Sequence, residues 1–316
     1  MNKDSAQILW DKINEYENII IAKHIFPDWD ALGSAEGLRN IINDNFKNKN
    51  VFVVGSLIDA DGKIDDDKLT KEIINSSLLI TVDTANIERV DFEFKNDTKE
   101  IFRIDHHIND SPYSDYEYIF PDVIACTQII TLWATELKLN ISKVAAEYLY
   151  KGLITDSGRF AYKSTDEKTF DAAKILVSKG IDIAQITRDV YKRTLKQAKW
   201  MAHAFSSMKI MEDINFAYCI GTYEDKKKYD LTCEQFKSAL GSMSNIEGID
   251  VWSFIYQMTP DSRIKISLRS NKIDINKLAV KYGGGGHKLA SGGYLDDWSE
   301  LELFLKYTKE YIKGEM

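Results

Sequence analysis

Cysteine is scarce in this chain, with three residues among 316. Cys126, Cys219 and Cys233 have neither the even number nor the close spacing that a disulfide framework or a zinc knuckle requires. The sequence therefore excludes a small disulfide-rich secreted protein. We expect a reducing compartment and place the protein in the cytoplasm.

Positive charge is also in short supply. The 41 lysine and arginine residues are outnumbered by 49 aspartate and glutamate residues, which gives a formal net charge of −8. Long nucleic acids and anionic membranes bind surfaces on which lysine and arginine are clustered. We therefore expect no long duplex nucleic acid and no membrane as partners, whereas a short anionic ligand in a local basic pocket stays compatible with this charge.

The first sixteen residues lack the apolar core of a signal peptide or of a membrane span, and they carry acidic residues early. Their apolar residues recur at helical spacing instead. We expect an amphipathic helix there.

The length exceeds what one hydrophobic core usually fills, so two domains are expected. From residue 18 to about 107, β-branched runs such as "NIIIAKH", "NVFVVG", "SLLITVD" and "EIFRIDHH" alternate with helix-like segments. This alternation is typical of a parallel sheet with flanking helices. Helical spacing continues to Met208, and strand-like runs of a smaller unit follow. We predict an α/β fold with a parallel-sheet domain at 1–187, a linker at 188–212 formed by a long helix, and an α+β domain at 213–316.

Residues that bind metals follow three of the predicted strands. His24 ends the first strand, Asp83 ends the third, and Asp105, His106 and His107 end the fourth. The carboxyl ends of parallel strands lie along one edge of a sheet, where ligands bind. Carboxylate oxygens mixed with imidazole nitrogens suit manganese, with magnesium, iron and zinc as other candidates.

Three further aspartates extend this set. Asp28 and Asp30 follow the first strand, and Asp156 ends a predicted helix. Each of them taken singly is more often a helix N-cap or a turn residue. Together with the strand-end residues they favour a binding site, and Asp83 is central enough to bridge two ions. Two ions roughly 3.5–4 Å apart activate water and stabilise an in-line phosphoryl displacement.

A second motif is the glycine-rich "GGGGHKLASGG" between a predicted helix and a predicted strand. Backbone N–H groups of such a loop can approach an anion closely, as in phosphate-binding nests. Arg269, at the end of a neighbouring predicted strand, offers a guanidinium fork to a phosphate. The alternative interpretation is a tight turn that binds nothing. The motif residues assigned to substrate binding are Gly284, Gly285, Gly286 and His287.

Five stretches occur along the chain in this order: "HIFPDWDALGS", "VDTA", "DHH", "TDSGRF" and "GGGGHKLASGG". Through them the chain resembles the DHH phosphoesterase family with its DHH-associated C-terminal domain. The resemblance spans nearly the whole chain and is greatest to the branch of nanoRNases and pAp phosphatases. It implies two manganese ions, one held by His24, Asp28 and Asp83. The ligands implied for the other ion are Asp30, Asp83, His106 and Asp156.

The resemblance also implies roles for residues that bind no metal. Asp105 would orient the site from behind the ligands, and His107 would face the scissile phosphate. Arg269, His287 and the glycines would hold the remote nucleotide or a terminal phosphate.

The activity implied by the resemblance is manganese-dependent hydrolysis of short oligoribonucleotides and linear dinucleotides, such as pApA and pGpG, to mononucleotides. Removal of the 3′-phosphate of pAp is expected as well. The expected partners are short RNA, dinucleotides and pAp, and a homodimer is left open. The alternatives are a cyclic-di-AMP phosphodiesterase, a pyrophosphatase or polyphosphatase, and a nucleotide-binding regulator without turnover. The glycine motif with His287 argues against the pyrophosphatase branch.

Overall fold

A computed structural model describes residues 3–58, 64–109 and 111–315, with the side chains of residues 3–5 left out. Residues 1–2 and 316, at the ends of the two predicted domains, lie outside the described residues. The chain divides into two compact units between Lys192 and Arg193. The predicted fold class is confirmed: a parallel sheet with helices forms the first unit, and a smaller mixed sheet with helices forms the second.

The sheet of the first unit has five strands within the described residues, in the order β2–β1–β3–β4–β5. Every neighbouring pair is parallel. The first four strands were predicted, and the fifth was not. The strands are β1 (Asn18–Ala22), β2 (Asn50–Val53), β3 (Leu78–Val82), β4 (Glu100–Asp105) and β5 (Tyr116–Ile119).

Both faces of this sheet are buried. Along β1, Ile19 and Ile21 pack into one apolar cluster, whereas Ile20 and Ala22 pack into another on the opposite face. Successive side chains of a strand point to opposite faces, so an unbroken apolar run is what a doubly covered strand needs.

The helices of this unit include the amphipathic helix expected at the N-terminus. They are α1 (Lys3–Glu15), α2 (Trp29–Asn45), α3 (Lys71–Ser76), α4 (Cys126–Glu136), α5 (Lys143–Asp156), α6 (Glu167–Val177) and α7 (Ile183–Tyr191), with 3₁₀ turns at Asp66–Lys68, Ile87–Arg89 and Lys95–Asp97. Helices α2 and α5 lie so close together that a Cβ atom at Gly33 would be 2.4 Å from the carbonyl oxygen of Tyr148. This approach brings the start of α2 near the end of α5.

The stretch from Ile183 to Met208 forms two helices, where the sequence pattern predicts one long connecting helix. A new helix, α8 (Leu195–Ser206), starts where the Thr194 hydroxyl accepts a hydrogen bond from Gln197 N at 3.2 Å. The buried Trp200 donates through Nε1 to the Phe236 carbonyl at 2.8 Å. Helix α8 therefore belongs to the core of the second unit.

The second unit contains a six-stranded sheet among the described residues, in the order β10–β11–β9–β8–β7–β6. Strands β7 and β8 are parallel, and the other pairs are antiparallel. Its strands are β6 (Lys209–Met211), β7 (Phe216–Gly221), β8 (Val251–Tyr256), β9 (Ile264–Ser270), β10 (Gly285–His287) and β11 (Ala290–Leu295). Its further helices are α9 (Tyr223–Lys228), α10 (Cys233–Lys237), α11 (Ala239–Ser242), α12 (Asn276–Lys281) and α13 (Leu301–Glu315), with 3₁₀ turns at Glu212–Ile214 and Trp298–Glu300.

All three cysteines are free, as the sequence predicts. None of the described helices combines the length and the apolarity that crossing a bilayer requires.

Candidate metal centre

The order of the strands explains why distant residues meet at one edge of the first sheet. Strand β3 lies between β1 and β4, so Asp83, directly after β3, is the central strand-end residue. His24 follows β1 and forms an isolated bridge with Val90, and Asp105 is the last residue of β4. The carboxyl ends of three neighbouring parallel strands thus carry His24, Asp83 and the run from Asp105 to His107.

Asp28 has a structural role and also faces the site. Its Oδ1 atom caps helix α2 by accepting hydrogen bonds from the backbone N–H groups of Asp30 at 3.0 Å and Ala31 at 3.1 Å. Its Oδ2 atom lies 3.8 Å from His24 Nε2. The N-cap interpretation and the binding interpretation are therefore both compatible with the geometry, because each uses a different oxygen.

Asp30 is fully buried, and its carboxylate meets the first turn of α4. Oδ2 accepts from Cys126 N at 2.6 Å, and Oδ1 accepts from Thr127 N at 3.0 Å and from the Thr127 hydroxyl at 2.6 Å. Ala125 offers α4 no side-chain cap, so Asp30 takes that place from across the fold. A Cβ atom at Gly152 of α5 would lie 2.8 Å from Asp30 Oδ1, so only glycine leaves room for this carboxylate.

All six side chains that the sequence predicts as metal ligands come together here. Within each of three groups the candidate ligand atoms lie within 4.8 Å of one another. The Asp83 carboxylate belongs to two of these groups, with Oδ2 3.6 Å from His24 Nε2 and Oδ1 3.3 Å from His106 Nε2. The groups are His24, Asp28 and Asp83; Asp30, His106 and Asp156; and Asp83, His106 and His107.

The two imidazoles are oriented by backbone carbonyls. His24 Nδ1 lies 2.9 Å from the Ile25 carbonyl oxygen, and His106 Nδ1 lies 3.1 Å from the Val123 carbonyl oxygen. An Nδ1–H that donates to a carbonyl leaves the Nε2 lone pair for a metal, which is the usual arrangement of a histidine ligand. In both residues Nε2 is the atom that faces the carboxylates.

The cluster holds more negative charge than its imidazoles neutralise. Burial, together with the charge of Asp83, raises the pKa of Asp30 to about 7. Burial and the charges of Asp30, Asp28 and Asp83 raise the pKa of Asp156 to about 9. Burial alone would lower the pKa of His106, but Asp83 and Asp30 raise it to about 10. Burial alone would raise the pKa of Asp83, yet the imidazoles of His106 and His24 hold it below its ordinary value.

These residues fit a divalent cation. Asp83 Oδ1 is buried and accepts no hydrogen bond from the described part of the chain. A buried carboxylate oxygen without a donor is costly unless a cation or a donor meets it. The surrounding donors are oxygens and imidazole nitrogens, the mixed set that manganese accepts.

One oxygen of Asp105 is held by Arg103, a residue to which the sequence pattern assigns no role. Asp105 Oδ2 accepts from Arg103 Nε at 3.0 Å and from Nη2 at 2.6 Å, and both residues are fully buried. Asp105 Oδ1 accepts from His106 N at 2.7 Å, from His107 N at 3.1 Å and from His107 Nδ1 at 2.8 Å. An arginine two residues before an aspartate on a buried strand points to the same face, and this spacing is the signal that could have identified the pair.

The predicted substrate-binding residues lie in the second unit. Arg269, Gly284 and Gly285 line a pocket of about 390 Å³ whose wall also contains Lys265 and Tyr294. The Arg269 guanidinium donates through Nη1 to the Leu268 carbonyl at 2.8 Å.

The glycine motif contains two paired strands joined by a short turn, where the sequence suggests a loop followed by a strand. Gly285, Gly286 and His287 form β10 and pair with β11, with Gly286 opposite Ser291. The strand lies so close to its neighbour that a Cβ atom at Gly284 would be 1.8 Å from the Gly292 carbonyl oxygen. Close backbone pairing therefore requires glycine at 284 whether or not a ligand binds there.

Comparison with known proteins agrees with this architecture. Residues 18–153 match the profile described as DHH family, N-terminal domain, and residues 214–314 match that of the DHHA1 domain. The bifunctional oligoribonuclease and PAP phosphatase NrnA of Bacillus subtilis is 32% identical to this chain, over 93% of this chain and 94% of its own length. The chain belongs to the DHH family. It is a DHH phosphoesterase, and hence a hydrolase.

Two further relatives extend the comparison of this DHH protein. The bifunctional oligoribonuclease and PAP phosphatase NrnA of Mycoplasma genitalium is 31% identical over 95% of this chain and 96% of its own. The crystal structure of an exopolyphosphatase-related protein from Bacteroides fragilis covers 99% of this chain and 96% of its own, with a TM-score of 0.87 at 24% identity. That structure supports the fold of the DHH protein.

Proposed function

We propose that this DHH phosphoesterase hydrolyses short oligoribonucleotides and linear dinucleotides, such as pApA and pGpG, to mononucleotides, and that it removes the 3′-phosphate of pAp. The observation that carries the proposal is the convergence of six carboxylate and imidazole side chains, with Asp83 among them. The substrate class is supported by the relatives named oligoribonuclease and PAP phosphatase, which align over almost their whole length.

The activity depends on divalent metal, and two manganese ions are the proposed occupants, with magnesium as the main alternative. His24, Asp28 and Asp83 would hold one ion, since their ligand atoms form one compact group. When bound, such ions make water more acidic and offset negative charge on the phosphoryl oxygens. The ligands proposed for the other ion are Asp30, Asp83, His106 and Asp156.

The chain's own side chains prepare the site for this chemistry. Asp28 and Asp30 are fixed by backbone N–H groups, so neither carboxylate has to be ordered when substrate arrives. His107 donates through Nδ1–H to Asp105, which leaves Nε2 as the ring nitrogen for substrate. We assign His107 to the scissile phosphate, where its Nε2 would face an oxygen that gains charge.

The pocket of the second unit is the proposed site for the remote nucleotide. Its volume of about 390 Å³ lies within the usual range for small-molecule pockets. Arg269 would supply a charge-assisted contact to a phosphate, with the backbone of Gly284, Gly285 and Gly286 and the side chain of His287 beside it. The acidic net charge of −8 favours short substrates, since long strands need extended basic grooves.

A cytoplasmic location is part of the proposal. All three cysteines are free, and two of them, Cys126 and Cys219, are buried as thiols. Free thiols persist in a reducing compartment.

A comparison of substrates tests the proposal. Turnover of pApA, pAp, cyclic-di-AMP, pyrophosphate and a 24-nucleotide RNA is measured side by side with manganese. We expect efficient conversion of pApA and pAp and slower cleavage of the long RNA. Faster turnover of cyclic-di-AMP than of pApA would favour the cyclic-dinucleotide alternative, and turnover of none of them would refute the proposal.

A further inference from the structure

An exposed aromatic residue lies between two of the proposed metal ligands. Phe26 stands between His24 and Asp28 in the chain, and its side chain is 85% exposed. Single exposed apolar residues are common on protein surfaces and need no explanation by themselves. Phe26 differs from such residues in its backbone conformation and in its proximity to Arg89.

The backbone of Phe26 has φ +55°, in the left-handed region. Glycine and asparagine adopt this region more easily than a bulky aromatic residue does. The chain is fixed directly before this residue, because Ile25 N donates to the Arg89 carbonyl at 2.8 Å. The ring is therefore held outward at the rim of the metal centre.

Arg89 lies at the same rim. The hydrogen bond from Ile25 joins the two segments, and Arg89 Nη2 is 3.3 Å from His24 Nδ1. Arg89 is exposed, and across the described ranges no carboxylate forms an ion pair with it. An exposed guanidinium without an acidic partner, next to a phosphoester-cleaving centre, is available to an anion from solution.

We propose that Phe26 and Arg89, here called the Phe26–Arg89 lip, bind the nucleotide next to the scissile bond. Its base stacks on the Phe26 ring, and its phosphate accepts a hydrogen bond from the Arg89 guanidinium. Stacking on an aromatic ring tolerates every base, so the lip selects nucleotides over other phosphoesters without reading base identity. This inference rests on the proposed function, since it assumes a nucleotide substrate.

The stacking contact is tested with pApA and with an analogue in which both bases are replaced by hydrogen. Phe26→Ala should lower kcat/KM for pApA by about fivefold to a hundredfold, the range of base–aromatic stacking, and leave the analogue unchanged. Phe26→Tyr should restore the value for pApA. The matched control is Phe94→Ala. Phe94 is 45% exposed in the same unit, but it precedes the amino end of β4, whereas the metal centre lies at the carboxyl ends of the strands.

The phosphate contact is tested with Arg89→Gln and Arg89→Lys. The glutamine variant should lower kcat/KM at least about tenfold on both substrates, since both keep the phosphate, and lysine should recover part of the loss. Manganese affinity measured by calorimetry without substrate should stay as in the wild type. A fall in that affinity would mean that Arg89 acts on His24 and not on substrate.

Two outcomes would overturn the lip while leaving the proposed function intact. The first outcome is that the wild type cleaves pApA and that Phe26→Ala has the same kcat/KM for pApA as the wild type. The other is an equal loss in Phe26→Ala on pApA and on the base-free analogue. Failure of the wild type on pApA would instead refute the proposed function.

Discussion

The fully buried ion pair between Arg103 and Asp105 allows a quantitative test of how the site is built. Arg103 makes two hydrogen bonds to Asp105 Oδ2, at 2.6 and 3.0 Å, and a third to Asn109 Oδ1 at 2.9 Å. Replacing Arg103 by methionine keeps the apolar stem and removes the charge. The Asp105 carboxylate would then be buried without its cation.

The expected loss of stability follows from this geometry. Removing one partner of a buried, hydrogen-bonded ion pair costs about 3–5 kcal/mol. The first unit ends at Lys192, and for a unit of this size each kcal/mol lowers Tm by about 2–4 °C. Arg103→Met should therefore lower the Tm of this unit by about 6–20 °C. The activity below that temperature should fall by about ten- to a hundredfold, because Asp105 orients His107 and the backbone of His106.

Calorimetry and kinetics on matched variants check this reasoning. Arg188→Met removes an exposed arginine and should change the free energy of unfolding by no more than about 0.5 kcal/mol. The double variant Arg103→Met with Asp105→Asn removes both charges, so its loss should be smaller than the sum of the two single losses. A loss below about 1 kcal/mol in Arg103→Met, with wild-type turnover, would refute the role assigned to the pair.

Three further predictions concern the ligands, the pH and the second unit. Asp83→Ala removes the carboxylate that two ligand groups share, so manganese binding and pApA turnover should both be lost, and full activity would contradict the site. In the metal-free protein the pKa values are raised to about 7 for Asp30 and about 9 for Asp156, so the folded state binds protons more tightly than the unfolded chain. The Tm of the metal-free protein should therefore fall from pH 6 to pH 9, and manganese should reverse this fall. A rise in the Tm of the metal-free protein over this range would contradict the charge balance described here. Arg269→Ala should cost about 1.5–3 kcal/mol, or roughly ten- to a hundredfold in kcat/KM, with pApA but not with a small chromogenic phosphodiester, and equal losses on both would argue against a recognition role.

The strand-end residues show what the sequence reveals well. Apolar β-branched runs before His24, Asp83 and Asp105 predict buried parallel strands, and parallel strands place their carboxyl ends on one edge. That rule brings residues about eighty positions apart to the same place without any knowledge of contacts. The meeting of His24, Asp83 and His106 therefore needed only the strand pattern and the chemistry of the side chains. Asp156 ends α5, so the strand rule does not place it, and its membership of the ligand set was implied by the family resemblance.

Features that depend on contacts distant in the sequence were missed. Strand β5 is a short edge strand in which Tyr118 alone is fully buried, so it has no apolar run to reveal it. The glycine motif has no side-chain alternation, and its pairing with β11 rests on the close approach at Gly284. The break between α7 and α8 follows from the packing of Trp200 in the second unit, which helical spacing cannot show.

The central claim is that this carboxylate and imidazole cluster hydrolyses phosphodiesters with a divalent metal. One measurement tests it most directly. The protein is stripped with a chelator, and AMP release from pApA is followed before and after manganese is added. The account predicts no AMP before the addition and sustained release after it. AMP release that persists in excess chelator, or its absence after manganese is restored to a folded protein, would contradict the claim.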